Sequence, residues 1–143
     1  MEVKDLYELA DADGITIDAF ALTGRPALSV WDGERCYIAV DPFKIETTAE
    51  EKTVLGHELG HCEKLAFYNL WSPYDIRQRQ ENRANKWAIK KLVPEDELKK
   101  AVRAGIVEPW DLAERFQVTE QFMRLAMCWY RYGSLDVKYY GVA

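Results

Sequence analysis

The alternation of apolar and polar positions changes period several times along the chain, and each change predicts an element. Leu6 to Ala12 has weak helical periodicity and is closed by the turn signal Asp13-Gly14. Ile15-Thr16-Ile17 then reads as a short strand. Ala27 to Trp31 and Arg35 to Val40 read as two more, both rich in β-branched and aromatic residues. Gly24-Arg25-Pro26 breaks the chain ahead of them, and Asp32-Gly33 between them is the strongest local hairpin signal present. A small, mostly antiparallel sheet is therefore expected. Asp41-Pro42 ends it, because proline has no N–H to give to a ladder.

Past Pro42 the pattern becomes helical. Thr48 and Glu51 have the spacing of a capping box and predict a helix starting at Ala49. Counting 100° per residue from His57, the residues Leu55, Leu59, Cys62 and Ala66 lie at roughly 140° to 200°, so the face opposite His57 is the core face. Gly56 and Gly60 lie inside this helix, where each costs about 1 kcal/mol relative to alanine. They predict a close neighbour, either a strand or bound peptide backbone or, equally, a second helix. Ser72-Pro73 offers an N-cap followed by proline at the first helical position, and a helix of about twenty residues fits before Pro94. On it Glu81, Ala84, Asn85 and Ala88 share one narrow stripe, while Arg79, Arg83, Lys86 and Lys90 form another that reads as a solvated face. Pro94 to Ala104, closed by Gly105, predicts a further helix. Pro109 to Phe116 and Thr119 to Tyr132, joined around Gln117-Val118-Thr119, have a spacing resembling a helix-turn-helix.

Composition bounds what this pattern can be. A chain of 143 residues with 48% hydrophobic and 30% charged residues is expected to fold as one globular domain. The net charge of -5 argues against a broad nucleic-acid surface, since phosphate binding depends on lysine and arginine. No basic segment followed by an apolar run opens the chain, and no apolar stretch approaches the roughly 20 residues that span a bilayer. A cytoplasmic protein is expected. Cys36, Cys62 and Cys128 are odd in number and far apart, so no disulfide framework is expected, and Cys62 reads as a small buried hydrophobe.

The candidate chemistry lies in His57-Glu58-Leu59-Gly60-His61. These are the only histidines in the chain, and on a helix they project from one face, where they can share a zinc ion with Glu58 beside its open position as general base. A catalytic zinc site takes three protein ligands. Glu63 lies roughly 240° around the helix from His57 and cannot close the site. Glu81 comes from the other helix, within the stripe of close-packing alanines, and is the preferred third ligand; Asp75 is second. Asn85, one turn beyond Glu81, can accept the second ring N–H of a ligand histidine, although a helix-packing amide fits as well. Tyr68 and Tyr74 flank the helix connection and read more readily as packing than as oxyanion donors.

These blocks resemble the ImmA/IrrE family of zinc metallopeptidases. The resemblance rests on the HExxH stretch together with Glu81-Asn82-Arg83-Ala84-Asn85-Lys86-Trp87-Ala88 and the run to Leu92-Val93-Pro94. It implies that Glu81 is the third zinc ligand. It also implies that the substrate is a helix-turn-helix transcriptional repressor, often encoded with the peptidase on a prophage or other mobile element. Trp87 and Val93 stand where phenylalanine and methionine are common, and no further histidine follows His61, which leaves substrate preference open. The expected fold class is α+β, a small sheet on a helical zinc-metallopeptidase core. Residues 1–94 form the catalytic core, 95–132 the helical C-terminal region and 133–143 a tail. Two other functions compete: a DNA-binding regulator using Asp111 to Tyr132, and a catalytically silent zinc scaffold that binds a repressor. Direct DNA binding is disfavoured because the helix from Thr119 to Leu125 has one arginine, one glutamate and several apolar residues where base readout wants exposed polar side chains.

Overall fold

The computed structural model describes residues 1–140, which form an α+β fold of six α-helices and one three-stranded sheet. Helix α1 (Val3–Ala12) leads into β1 (Thr16–Ala19), β2 (Ala27–Trp31) and β3 (Cys36–Val40). The hairpin forms where Asp32-Gly33 predicts it. Asp32 Oδ1 accepts the N–H groups of Glu34 at 2.8 Å and Arg35 at 2.7 Å, and Ser29 faces Ile38 across the antiparallel β2–β3 pair. β1 takes the other side of β3 and runs parallel to it, Ile17 beside Ile38, so the order is β1-β3-β2 and the sheet is mixed. The expectation of a mostly antiparallel sheet thus holds for one pairing of two. The hairpin reverses the chain once between β2 and β3, and the connection from β1 reverses it once before β2. β1 and β3 therefore point the same way.

The motif helix α2 (Thr48–Glu63) starts one residue earlier than expected. Thr47, not Thr48, is the N-cap, its Oγ1 accepting the Glu50 N–H at 3.1 Å. The second long helix, α3 (Tyr74–Leu92), starts after Pro73, because the Ser72 hydroxyl is used by the preceding turn, where it accepts the Asn69 N–H at 3.0 Å. Leu55 and Leu59 of α2 are buried, as the core face requires. Cys62 on that face is joined to Cys36 at the start of β3, with Cα atoms 5.7 Å apart. This corrects the reading of Cys62 as an unpaired hydrophobe: the face that packs on the sheet brings Cys62 within bonding reach of a strand residue 26 positions away.

α3 lies so close to α2 that the two glycines are needed. A Cβ on Gly56 would stand 2.6 Å from Leu92 Cδ1, and one on Gly60 would stand 3.0 Å from the Cα and carbonyl carbon of Ala84 and closer still to its oxygen. The neighbour is a second helix rather than a strand. Helices α4 (Glu95–Arg103), α5 (Pro109–Phe116) and α6 (Glu120–Tyr132) close the other side. Buried Lys52 of α2 donates to the Phe116 carbonyl at 2.6 Å, Thr53 Oγ1 accepts the Thr119 N–H at 3.1 Å, and the Tyr130 hydroxyl donates to the Val93 carbonyl at 2.7 Å. One cluster of buried side chains runs from Leu6 through Ile38, Leu59 and Ile89 to Met123 and Ala126. Of the tail, Tyr140 stacks on Tyr132 with ring centroids 4.3 Å apart, and residues 141–143 lie outside the described residues. Among the described residues no helix is long and apolar enough to cross a membrane.

Candidate metal centre

His57 and His61 sit one turn apart on α2, and the close packing of α3 brings Glu81 against both. His57 Nε2 is 2.8 Å and His61 Nε2 3.3 Å from Glu81 Oε2, and the two Nε2 atoms are 3.1 Å apart. Among the described residues this is the one group of three or more potential ligand side chains that could hold a metal ion. Ligand atoms held about 2.0–2.1 Å from a tetrahedral zinc ion are roughly 3.3 Å from one another, so the triangle is close to the size such an ion needs. Glu63 and Asp75 lie outside the group. Burial, followed by the hydrogen bond and charge of Asp13, pushes the Glu63 carboxyl up to about 7.

The far side of each imidazole fixes what the near side can do. His61 Nδ1 is 2.5 Å from the Ala66 carbonyl, which can only accept, so Nδ1 carries the hydrogen. His57 Nδ1 is 2.8 Å from Asn85 Oδ1, an acceptor that likewise calls for N–H. In the neutral rings both Nε2 atoms then present lone pairs, and they present them to each other and to a carboxylate oxygen. While both rings stay neutral, three acceptors converge with no donor among them, an arrangement that either a proton on one ring or a metal ion satisfies.

The electrostatics of the protein alone point the same way. Burial is the largest influence on His57 and pushes its pKa down, but the hydrogen bond to Glu81, the charges of Glu58 and Glu81 and the Asn85 contact outweigh it and hold the ring above its ordinary value. Burial would raise Glu81, yet the hydrogen bonds from His57, His61 and Tyr68 hold its carboxyl far below the usual carboxylate range. The site thus favours positive charge beside a firmly ionised carboxylate. Either a proton on His57 or a metal ion supplies it.

Glu58 is 7% exposed and makes no hydrogen bond among the described residues. It lines a cavity of about 100 Å³ together with His61, Glu81, Tyr68, Ser29 and Arg25. Tyr68, which the sequence favours as packing, donates to Glu81 Oε1 at 2.7 Å, and that bond is the chief reason its hydroxyl pKa is raised. Tyr74 is 78% exposed and bonds to Gln78 instead. Arg25 and the Ala66 carbonyl were not singled out by sequence. Gly24-Arg25-Pro26 reads only as a break in the chain, and a backbone oxygen has no sequence signature. In the C-terminal region, Phe122 and Met123 at the start of α6 are buried against the core, which removes them from any exposed reading surface.

Comparison with protein-family models finds none that matches this chain, and comparison with curated proteins finds no match either.

Proposed function

We propose that the protein is a zinc-dependent peptidase, on the strength of one observation above the rest: the tautomers of His57 and His61 are set by Asn85 and Ala66 so that both Nε2 lone pairs meet the Glu81 carboxylate. Nitrogen and carboxylate donors in a two-histidine, one-glutamate set suit zinc and leave a position open for water. Zinc, when bound, supplies a Lewis acid that acidifies that water and polarises a carbonyl. Glu58, unpartnered and facing the same cavity, takes the proton from the attacking water and returns it to the leaving amine. Asn85 and Ala66 hold the rings in register.

The sheet offers a place for an extended peptide. The Asp41 N–H donates to the Pro26 carbonyl at 2.8 Å and the Asp32 N–H to the Arg35 carbonyl at 3.1 Å. The alternation of an antiparallel ladder then turns the backbone groups of Ala27, Ser29 and Trp31 away from β3, towards the free edge of β2. Leu28 and Ser29 line the cavity that holds Glu58, His61 and Glu81, so a strand added to this edge lies beside the reacting groups.

The substrate class follows from the resemblance to ImmA/IrrE peptidases: a helix-turn-helix repressor, cut in an exposed linker, where an extended segment is available. That substrate sets the protein in the cytoplasm. Disulfides are rare there; Cys36 and Cys62, 5% and 6% exposed, line a cavity of about 500 Å³ beside Asp13 and Glu63.

The test is to load the wild type, Glu58→Gln and Glu81→Ala with zinc and incubate each with the repressor encoded beside it. Glu81→Ala is expected to lose most of its zinc. Glu58→Gln is expected to keep the metal but cut about 10²- to 10⁴-fold more slowly. A repressor that binds zinc-loaded wild type yet stays whole would leave the silent scaffold as the better reading.

A further inference from the structure

Among the described residues Arg25 is the one lysine or arginine in the wall of the metal cavity. Its loop is anchored at both ends by a single buried residue. Asp41, 2% exposed, accepts the Leu22 N–H at 3.0 Å through its side chain and donates its own N–H to the Pro26 carbonyl at 2.8 Å. Lys44 braces the same station, donating to Asp41 at 2.8 Å and to the Leu22 carbonyl. Gly24, with φ of +77°, makes the turn that precedes Arg25. The backbone of Arg25 is therefore fixed at the mouth of the cavity, two residues before the free-edge strand β2.

Its guanidinium makes no hydrogen bond or ion pair among the described residues. The nearby carboxylates have other tasks: Glu81 accepts the Tyr68 hydroxyl on Oε1 and has both histidine Nε2 atoms against Oε2, and Glu58 must stay free to carry a proton. Arg25 is exposed and lines the cavity beside the free edge of β2; its planar, permanently charged fork is suited to a carboxylate, which it can hold through two parallel hydrogen bonds.

We propose that Arg25 is a substrate-binding residue that receives a peptide carboxylate near the scissile bond, and so makes the site selective for acidic segments. This rests on the peptidase reading for the cavity and goes beyond it in naming what the substrate must carry. The carboxylate can come from an aspartate or glutamate side chain or from a C-terminus, and the test separates the two.

The experiment measures binding without cleavage, using zinc-loaded Glu58→Gln and fluorescent peptides matched except for one change. One set is blocked at both ends and carries glutamate or glutamine at each position in turn. The other lacks acidic side chains and ends in a free carboxylate or an amide. Glutamate at one position is expected to bind about tenfold more tightly than glutamine. Adding Arg25→Gln should abolish the difference, whereas Arg25→Lys should keep part of it. If only the free-carboxylate peptides show the preference, the ligand of Arg25 is a chain end. Equal binding within both sets, or a preference that survives Arg25→Gln, overturns the proposal. Cleavage is followed separately with the wild type. Acid-selective binding without any cleavage sinks the peptidase reading and leaves Arg25 as a binding residue; cleavage with no acid preference does the reverse.

Discussion

The front and back turns of α2 both bury polar side chains, and they do so in opposite ways. At the front, Lys52 and Thr53 meet complementary groups: an ammonium finds the carbonyl that ends α5, and a hydroxyl finds the N–H at the start of α6. Each donor has its acceptor, and the result is a joint between helices. At the back, His57, His61 and Glu81 meet like with like, two lone pairs and a carboxylate aimed at one point. Burying a polar group without its complement costs about 1–3 kcal/mol; His61 is buried, while the side chains of His57 and Glu81 are 26% and 28% exposed, and all three lack a complement until a proton or a cation supplies one. The lesson is to ask of a buried polar cluster whether it is complete in itself. The front of α2 is complete, and the back becomes so with a cation.

The largest expected effect tests that incompleteness directly. Zinc at about a thousand times its dissociation constant should stabilise the protein by about 4 kcal/mol, read as a rise in Tm by calorimetry that a chelator reverses and Glu81→Ala largely removes. A wild type indifferent to zinc would erase the distinction between the two ends. Next is Gly60→Ala, which sets a methyl against the Ala84 backbone and should cost about 3 kcal/mol in denaturant melts. Gly56→Ala meets only the end of the flexible Leu92 side chain and should cost about 1 kcal/mol or less. Equal costs would mean that the back of α2 is loosely packed. Lys52→Met at the front should cost about 2 kcal/mol by leaving the Phe116 carbonyl without its donor. The same loss is expected with and without zinc, because the two ends act independently. A Lys52 penalty that changes with metal would show that the joint and the site are coupled.

The site is more legible in the sequence than the sheet. Helical spacing is a local rule, so His57 and His61 one turn apart, and the stripe Glu81, Ala84, Asn85, Ala88, can be placed on faces before any packing is known. The glycines signal close approach, yet only the packing identifies α3 as what approaches. The hairpin is local too, and Asp32-Gly33 marks it. The parallel partnership of β1 with β3 has no such marker, because it depends on which edge the hairpin leaves free. The Cys36–Cys62 bond escapes for a related reason. A helical wheel puts Cys62 on the core face without saying which strand residue waits there. Arg25 escapes because an arginine between glycine and proline looks like loop composition. Its place at the cavity comes from Asp41, a residue whose sequence context says only that a strand is ending.

The contact between Gly60 and Ala84 is made by main chain on one side and, in effect, main chain on the other. Side chains can yield by changing rotamer; backbone inside two helices cannot. The gap between the helix that carries the histidines and the helix that carries the glutamate is therefore set by a hard stop one residue before His61 and three residues after Glu81. That stop works in one direction: it keeps the two helices from closing further and does nothing to hold them together. The smallest distance at which the histidines can stand from the glutamate is then written into a missing methyl group rather than into the three side chains themselves.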